Sequence, residues 1–157
     1  MKKIAVFADV QNIYYTTRQA YGRQFDYRKL WQRLSAEGQI VSAIAYATHR
    51  SDEKQHKFQN ALKHIGFTVK LKPYIQRSDG SAKGDWDVGI TIDVIDIAKD
   101  VDTVVLLSGD GDFDLLLEKI NKDYSISTEV YGVPTLTANT LINAASIYHA
   151  IAEDLLL

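Results

Sequence analysis

The chain has 157 residues, 46% of them hydrophobic, and it contains no cysteine. This length suffices for one domain with a full core, the lack of cysteine excludes disulfides and thiolate metal sites, and no stretch reaches the roughly 20 apolar residues of a membrane span. The net charge of −2 conceals an asymmetry, since residues 1–83 carry fifteen Lys and Arg against six Asp and Glu, and residues 84–157 three against fourteen. We expect a cytoplasmic protein without membrane contact. Its basic residues either bind a polyanion or lie on the solvated surface.

Five predicted strands alternate with helical segments along the chain. They lie at about residues 3–9, 39–47, 67–75, 102–108 and 126–132. Apolar residues at helical spacing between them, as at Leu30 and Leu34 and again at Leu62 and Ile65, predict helices with one buried face. Strands that alternate with helices in this way form a parallel sheet with helices on both faces.

The order of the strands follows from their polarity. The first, second and fourth are mostly apolar, as interior strands are, whereas the third (68–72) and the fifth (127–131) contain polar residues, as edge strands do. With right-handed crossovers, the predicted fold is a single-domain three-layer α/β/α sandwich over residues 1–157, Rossmann-like, with strand order 3-2-1-4-5. Its ligand site is expected between the carboxyl ends of the first and fourth strands.

Aspartates follow the two strands that meet at this point. Asp9 ends the first strand, and Asp110 and Asp112 come directly after the fourth, behind Ser108. A carboxylate there loses hydration without an obvious backbone partner, and neighbouring carboxylates repel one another unless a cation lies between them. Asp87 opens an apolar helical segment and would point into the same cleft. Oxygen ligands without His or Cys predict Mg²⁺ or Mn²⁺.

Some of these polar residues have a second interpretation. Asp87, Asp112 and Asn12 each stand where a helix is predicted to begin, and Asp and Asn are favoured helix caps. Asp93 and Asp96 lie inside the apolar segment that Asp87 opens. Because both cannot be buried there without a partner, Asp93 is the better site candidate and Asp96 is expected to face solvent.

Basic and aromatic residues provide candidate contacts to nucleic acid. Lys83 stands in a polar segment (76–86) that is predicted to be a mobile loop at the cleft, where its ammonium would neutralise a phosphate or remain solvated. Arg50 and Lys54 lie on or beside one predicted helix and would follow phosphates. Trp86 would stack on a base, since no core stripe requires a tryptophan there.

Three motifs lie in order along the chain: Asp9-x-x-Asn12, Lys83-Gly84-x-x-Asp87-Val88 followed by Asp93, and Ser108-Gly109-Asp110-x-Asp112-Phe113. Together they resemble the NYN domains of the PIN-like nuclease superfamily, in particular the LabA-like bacterial branch. The resemblance implies a PIN-like fold and a Mg²⁺- or Mn²⁺-dependent ribonuclease site acting on RNA. It further implies that Asp9, Asp87 and Asp110 bind metal, that Asp112 and Asp93 are outer acids, and that Asn12 is a positioning residue.

The chain departs from this family at one segment. Where members often carry a further acid near the C-terminal end, the sequence is Ala144-Ala145-Ser146-Ile147. The rival interpretation is a non-catalytic RNA- or protein-binding module that keeps the acidic site. The apolar residues 155–157 suggest either a homodimer contact or a disordered terminus.

A calcium-binding EF-hand and a dinucleotide-binding domain are both excluded by the sequence. The run from Asp110 to Asp114 begins like an EF-hand, but Leu115 and Asn121 occupy the positions of the required Gly and Glu. No G-x-G-x-x-G follows the first strand, so a dinucleotide-binding domain is excluded as well.

Overall fold

The protein is built on a parallel sheet. The structure, a computed structural model, describes residues 1–49, 52–73, 75–76, 82–83 and 85–157. Its strands are β1 (Lys3–Asp9), β2 (Gln39–His49), β3 (Thr68–Pro73), β4 (Ile75–Gln76), β5 (Ala82–Lys83), β6 (Thr103–Leu107), β7 (Ser127–Gly132) and β8 (Ile147–Ala150). Six of them form one sheet in the order β3-β2-β1-β6-β7-β8, in which every pair is parallel, while β4 and β5 form a separate antiparallel hairpin.

Helices cover both faces of the sheet. They are α1 (Val10–Tyr21), α2 (Tyr27–Glu37), α3 (Glu53–Ile65), α4 (Asp87–Ala98), α5 (Asp114–Tyr124) and α6 (Asn139–Ala144). The first three pack on one face around Val6 and Leu30, and the last three pack on the other around Phe7 and Ile90. This arrangement confirms the predicted three-layer sandwich with its PIN-like fold. Within the described ranges, no helix has the length and apolar character that crossing a bilayer would demand.

The predicted order 3-2-1-4-5 is confirmed as β3-β2-β1-β6-β7, but the sheet has a sixth strand. The prediction that the fifth strand is an edge was wrong, because β8 pairs along its outer side. Two of the polar residues that suggested an edge, Thr128 and Glu129, are buried and have partners. Glu129 lies 2.6 Å from the imidazole Nε2 of His149, and the backbone N–H of Thr128 donates to the Ser146 hydroxyl at 3.0 Å. Buried polar groups are normally paired in this way.

The chain's last residues pack on its own first half. Leu155 and Leu156 are buried in the core beneath α1 to α3, and Leu156 forms a β-bridge with Phe25. The backbone N–H of Leu157 donates to the carbonyl of Gln24 at 2.8 Å. Two of the three leucines that suggested a homodimer contact are thus covered within one chain, and the homodimer stays a prediction without their support.

The centre of the sheet fixes the position of the predicted site. β1 pairs with β2 on one side and with β6 on the other, so the carboxyl ends of β1 and β6 are neighbours. Side chains alternate along a strand, and Asp9 has the parity of Ala5 and Phe7, which pack with α4 and α5. The turn after β6 requires glycine, because a Cβ at Gly109 would lie 2.5 Å from the carbonyl oxygen of Leu136.

Candidate metal centre

Three predicted carboxylates form one cluster at this edge of the sheet. Asp87 is the first residue of α4, and Asp110 and Asp112 lie in the turn between β6 and α5. One carboxylate oxygen from each lies within 4.8 Å of the other two. Asp87 and Asp110 are partly buried and Asp112 is exposed. The fold therefore brings together acids from two separate elements, as the sequence predicts.

Asp9 is connected to this cluster through Ser108. The fully buried hydroxyl of Ser108 donates to Oδ2 of Asp9 at 3.0 Å and accepts from the backbone N–H of Asp110 at 3.1 Å. Asp9 itself is only 8% exposed. One side chain thus fixes an acid of β1 relative to an acid that follows β6.

The environment of Asp9 and of Asp87 favours their protonated forms. Burial raises the pKa of Asp9 to about 6; the hydrogen bond from Ser108 opposes this shift, while the charges of Asp110 and Asp85 add to it. The pKa of Asp87 rises to about 7, first through desolvation and then through its hydrogen bond with Asp110 and the charges of nearby aspartates. A divalent cation would remove this repulsion, so the donor set fits an oxygen-ligated metal.

Asp85 is a member of this region that the sequence analysis missed. Its Oδ1 accepts from the backbone N–H of Asp87 at 3.2 Å, and its carbonyl accepts from Lys72 at 2.8 Å. The residue that caps α4 is Trp86, without a side-chain bond, so the capping interpretation of Asp87 is wrong. Asp85, one residue earlier, instead holds the first N–H of the helix with its carboxylate. An aspartate close to a predicted helix start is the signal that could have found it.

Asp110, and not Asp112, caps the turn after β6. Its Oδ1 accepts from the backbone N–H of Asp112 at 2.9 Å at the start of the 3₁₀ helix Gly111–Phe113. The residue that caps α5 is Phe113, without a side-chain bond, so the capping interpretation of Asp112 is also wrong. One oxygen of Asp110 is thereby held by the backbone, which fixes the direction of its carboxylate.

Asn12 connects α1 with the same turn. Its side-chain Oδ1 accepts from the backbone N–H of Gly109 at 2.9 Å, although 97 residues separate the two in sequence. It does not cap its own helix, because the residue before α1 is Asp9. This contact agrees with the positioning role that the resemblance implies, and that role stays a prediction.

Asp93 lies in a different environment from the cluster. Its Oδ2 accepts from the Tyr46 hydroxyl at 2.8 Å and from the Lys70 ammonium at 2.7 Å. The geometric cluster consists of Asp87, Asp110 and Asp112, without Asp93. Its role as an outer acid stays a prediction, and in the structure its carboxylate is already paired with the Lys70 ammonium.

The predicted substrate contacts differ in where they lie. Trp86 is engaged within the fold, because its indole N–H donates to the Ala47 carbonyl at 3.0 Å and its ring lies 5.4 Å from that of Tyr46. Base stacking by Trp86 stays a prediction that these contacts disfavour. Lys54 is exposed on α3. Arg50 and the side chain of Lys83 lie outside the described residues, as does most of the predicted loop.

Comparisons with known proteins cover nearly the whole chain. The family model of the NYN domain matches residues 3–152. Low amplitude and bright protein LabA from Synechococcus elongatus is 30% identical over 154 residues, covering 93% of this chain and 82% of LabA. The crystal structure of a protein of unknown function from Vibrio parahaemolyticus is 56% identical, with a TM-score of 0.95, covering 99% of this chain and 96% of that one. The family match includes every carboxylate described above.

Proposed function

The chain belongs to the NYN domain family, whose superfamily comprises PIN-like nucleases, and from this premise we propose that it is a metal-dependent ribonuclease. It hydrolyses RNA phosphodiester bonds at the aspartate cluster. The observation that carries this proposal is the convergence of Asp87, Asp110 and Asp112 within 4.8 Å, next to a buried Asp9. These carboxylates repel one another, and a divalent cation bound between them would neutralise that repulsion.

The proposed ligands are Asp9, Asp87 and Asp110, with Asp112 as an outer acid. Carboxylates without imidazole or thiolate suit Mg²⁺ or Mn²⁺, which keep several waters in such sites. When bound, the ion supplies a nucleophilic water near neutral pH and stabilises charge on the phosphoryl oxygens. Asp9 and Asp87 would release their protons on binding, because their raised pKa values leave them partly protonated near neutrality.

The surrounding residues orient this set. Ser108 holds Asp9 and the backbone of Asp110, and Asn12 holds the turn through Gly109. Asp85 fixes the first turn of α4, from which Asp87 projects. Such contacts orient the metal ligands, and mutating the residues that make them typically lowers metal affinity or activity by roughly 10- to 100-fold.

The test is RNA cleavage with Mg²⁺, with Mn²⁺ and with EDTA. We expect Asp9→Asn and Asp110→Asn to lose at least about 100-fold of the metal-dependent rate, because each removes a charged ligand. The matched control is Asp123→Asn, which changes a surface acid paired with Lys119 on α5. Identical RNA decay for wild type and both site variants, or no cleavage with any divalent ion, would contradict the proposal.

A second candidate function is a non-catalytic RNA- or protein-binding regulatory module with a retained acidic site. One observation favours it: Asp93, which the resemblance assigns as an outer acid, is paired with Lys70. RNA binding that persists without cleavage under every metal condition would support this module and exclude the ribonuclease.

A further inference from the structure

A groove of about 660 Å³ lies between α1 and α3. Val10, the residue after Asp9, lines it, and Ala47 and Thr48 at the carboxyl end of β2 form part of its wall. The groove and the cluster therefore lie at the same edge of the sheet, on opposite sides of the end of β1. A cavity of this volume accommodates a small organic group such as a nucleotide.

The groove is lined with aromatic side chains at two levels. Its floor contains Phe25 and Tyr27, which are buried with ring centroids 4.9 Å apart, and Phe58 packs edge-on against Tyr27 at 6.0 Å. At the rim, Tyr15 is 50% exposed and Tyr14 is 40% exposed. Exposed aromatic rings above an apolar floor are the platform on which unpaired bases stack.

The charge around the groove is positive. Lys54 and Lys57 of α3 lie on its rim, and a second hollow beside Tyr14 is lined by Arg18 and by Arg23, whose guanidinium is paired with Glu153. Among the described residues that line the groove, none carries an acidic side chain. The rim thus attracts phosphates, whereas the neighbouring aspartate cluster repels them in the absence of metal.

One end of the groove adjoins a proposed metal ligand along the backbone. Val10 lines the groove, and it directly follows Asp9 at the end of β1. Ala47 and Thr48, which also line it, belong to β2, the strand that pairs with β1. A nucleotide at this end of the groove would therefore lie next to the strand end that carries Asp9.

We propose that the groove binds an unpaired base of single-stranded RNA next to the scissile phosphodiester. The lysines of α3 contact the flanking phosphates, and Tyr15 stacks on the base. In duplex RNA the bases are stacked inside the helix and do not reach such a groove, so its occupant is a base outside a duplex. This inference rests on the proposed ribonuclease function only for the position of the cut; the groove itself is a binding site.

Binding is tested apart from cleavage, in the full chain carrying Asp110→Asn and in the presence of EDTA. The probe is a fluorescein-labelled mixed-sequence RNA, either single-stranded or annealed to its complement, and the measurement is anisotropy. We expect Tyr15→Ala to weaken single-strand binding about tenfold, whereas Tyr15→Phe, which keeps the ring, binds normally. The matched control is Tyr124→Ala, which removes an exposed tyrosine of α5 that does not line the groove.

A second variant keeps the proposal testable should Tyr15→Ala disturb α1. Lys57→Ala should lower the dependence of log affinity on log salt by about one phosphate contact. Duplex RNA that binds as tightly as the single strand would overturn the proposal. So would unchanged single-strand binding in both Tyr15→Ala and Lys57→Ala.

The same variants separate the two proposals. Metal-dependent cleavage by wild type together with unchanged binding by the groove variants would refute the groove alone. Loss of binding in the groove variants, with no cleavage by wild type, would refute the ribonuclease alone and leave the groove as an RNA-binding site.

Discussion

The protein holds buried acids in two contrasting ways at two places on one sheet. On β7, Glu129 is 4% exposed and is paired with His149 of β8 at 2.6 Å. At the carboxyl ends of β1 and β6, the ion pairs found among the described residues include neither Asp9 nor Asp110. The chain is thus able to pair a buried carboxylate, and the carboxylates left without an ion pair in one place support the proposed functional site.

Breaking the paired region should have the largest effect. His149→Ala leaves Glu129 buried without its partner, which costs about 3–5 kcal/mol in the free energy of unfolding. Urea unfolding of the variant and of wild type measures this loss. His149→Gln, which can still donate a hydrogen bond, should recover part of it, and a variant as stable as wild type would show that the pair is not structural.

The unpaired region should respond to pH in the metal-free protein. The pKa of Asp9 is about 6 in the folded state against 3.8 unfolded, so between these values the folded protein binds the extra proton. The free energy of unfolding therefore falls as pH rises from about 4 to above 6. The total loss that Asp9 causes over this range is about 3 kcal/mol. Urea unfolding in EDTA, as the difference between wild type and Asp9→Asn, measures it. A difference that is flat across this range would contradict the raised pKa.

Metal should reverse the destabilisation at the unpaired region. At a Mn²⁺ concentration of about 100 times Kd, the wild type should gain about 2.7 kcal/mol, or roughly 5–10 °C in Tm. Asp110→Asn should remove this gain and raise the metal-free Tm, because its amide oxygen can still accept from the N–H of Asp112 while one negative charge is lost. Thermal melts with Mn²⁺ and EDTA compare the two proteins. An unchanged Mn²⁺ response in Asp110→Asn would exclude it as a ligand.

The smallest effect is expected outside both regions, at Asp93, which contacts β2 and β3. Lys70→Met removes the ammonium that pairs with Asp93, but this lysine is 41% exposed and the Tyr46 hydroxyl remains. The expected loss is about 1 kcal/mol or less, measured by thermal unfolding. A loss comparable to that of His149→Ala would show that Asp93 is as dependent on its cation as Glu129 is on His149.

The main features of the fold could be predicted because they depend on local patterns. Apolar strands ending in Asp9 and in Ser108-Gly109-Asp110 imply neighbouring carboxyl ends once the strand order is known. β8 was missed because it has only four residues, two of which are exposed, and its pairing with β7 depends on a contact between Glu129 and His149, 20 residues apart. Such a contact has no local signature.

The site was predicted in composition but not in its internal contacts. The sequence identifies Asp87, Asp110 and Asp112, yet it does not indicate that Asp85 accepts from the backbone N–H of Asp87 or that Lys70 of β3 pairs with Asp93. Trp86 stood in a polar segment and therefore looked exposed. Its indole N–H bonds to Ala47 on β2, a residue 39 positions earlier, which is a tertiary contact.

The bridge made by Ser108 has a consequence for when the protein can act. Its hydroxyl bonds to Asp9, 99 positions earlier in the sequence, and to the backbone N–H of Asp110, and it does so only when β1 and β6 lie side by side. A chain still being synthesised, or one cut between these strands and dissociated, has no complete ligand set. The proposed nuclease therefore requires the paired strands β1 and β6, and it is inactive until the chain has folded.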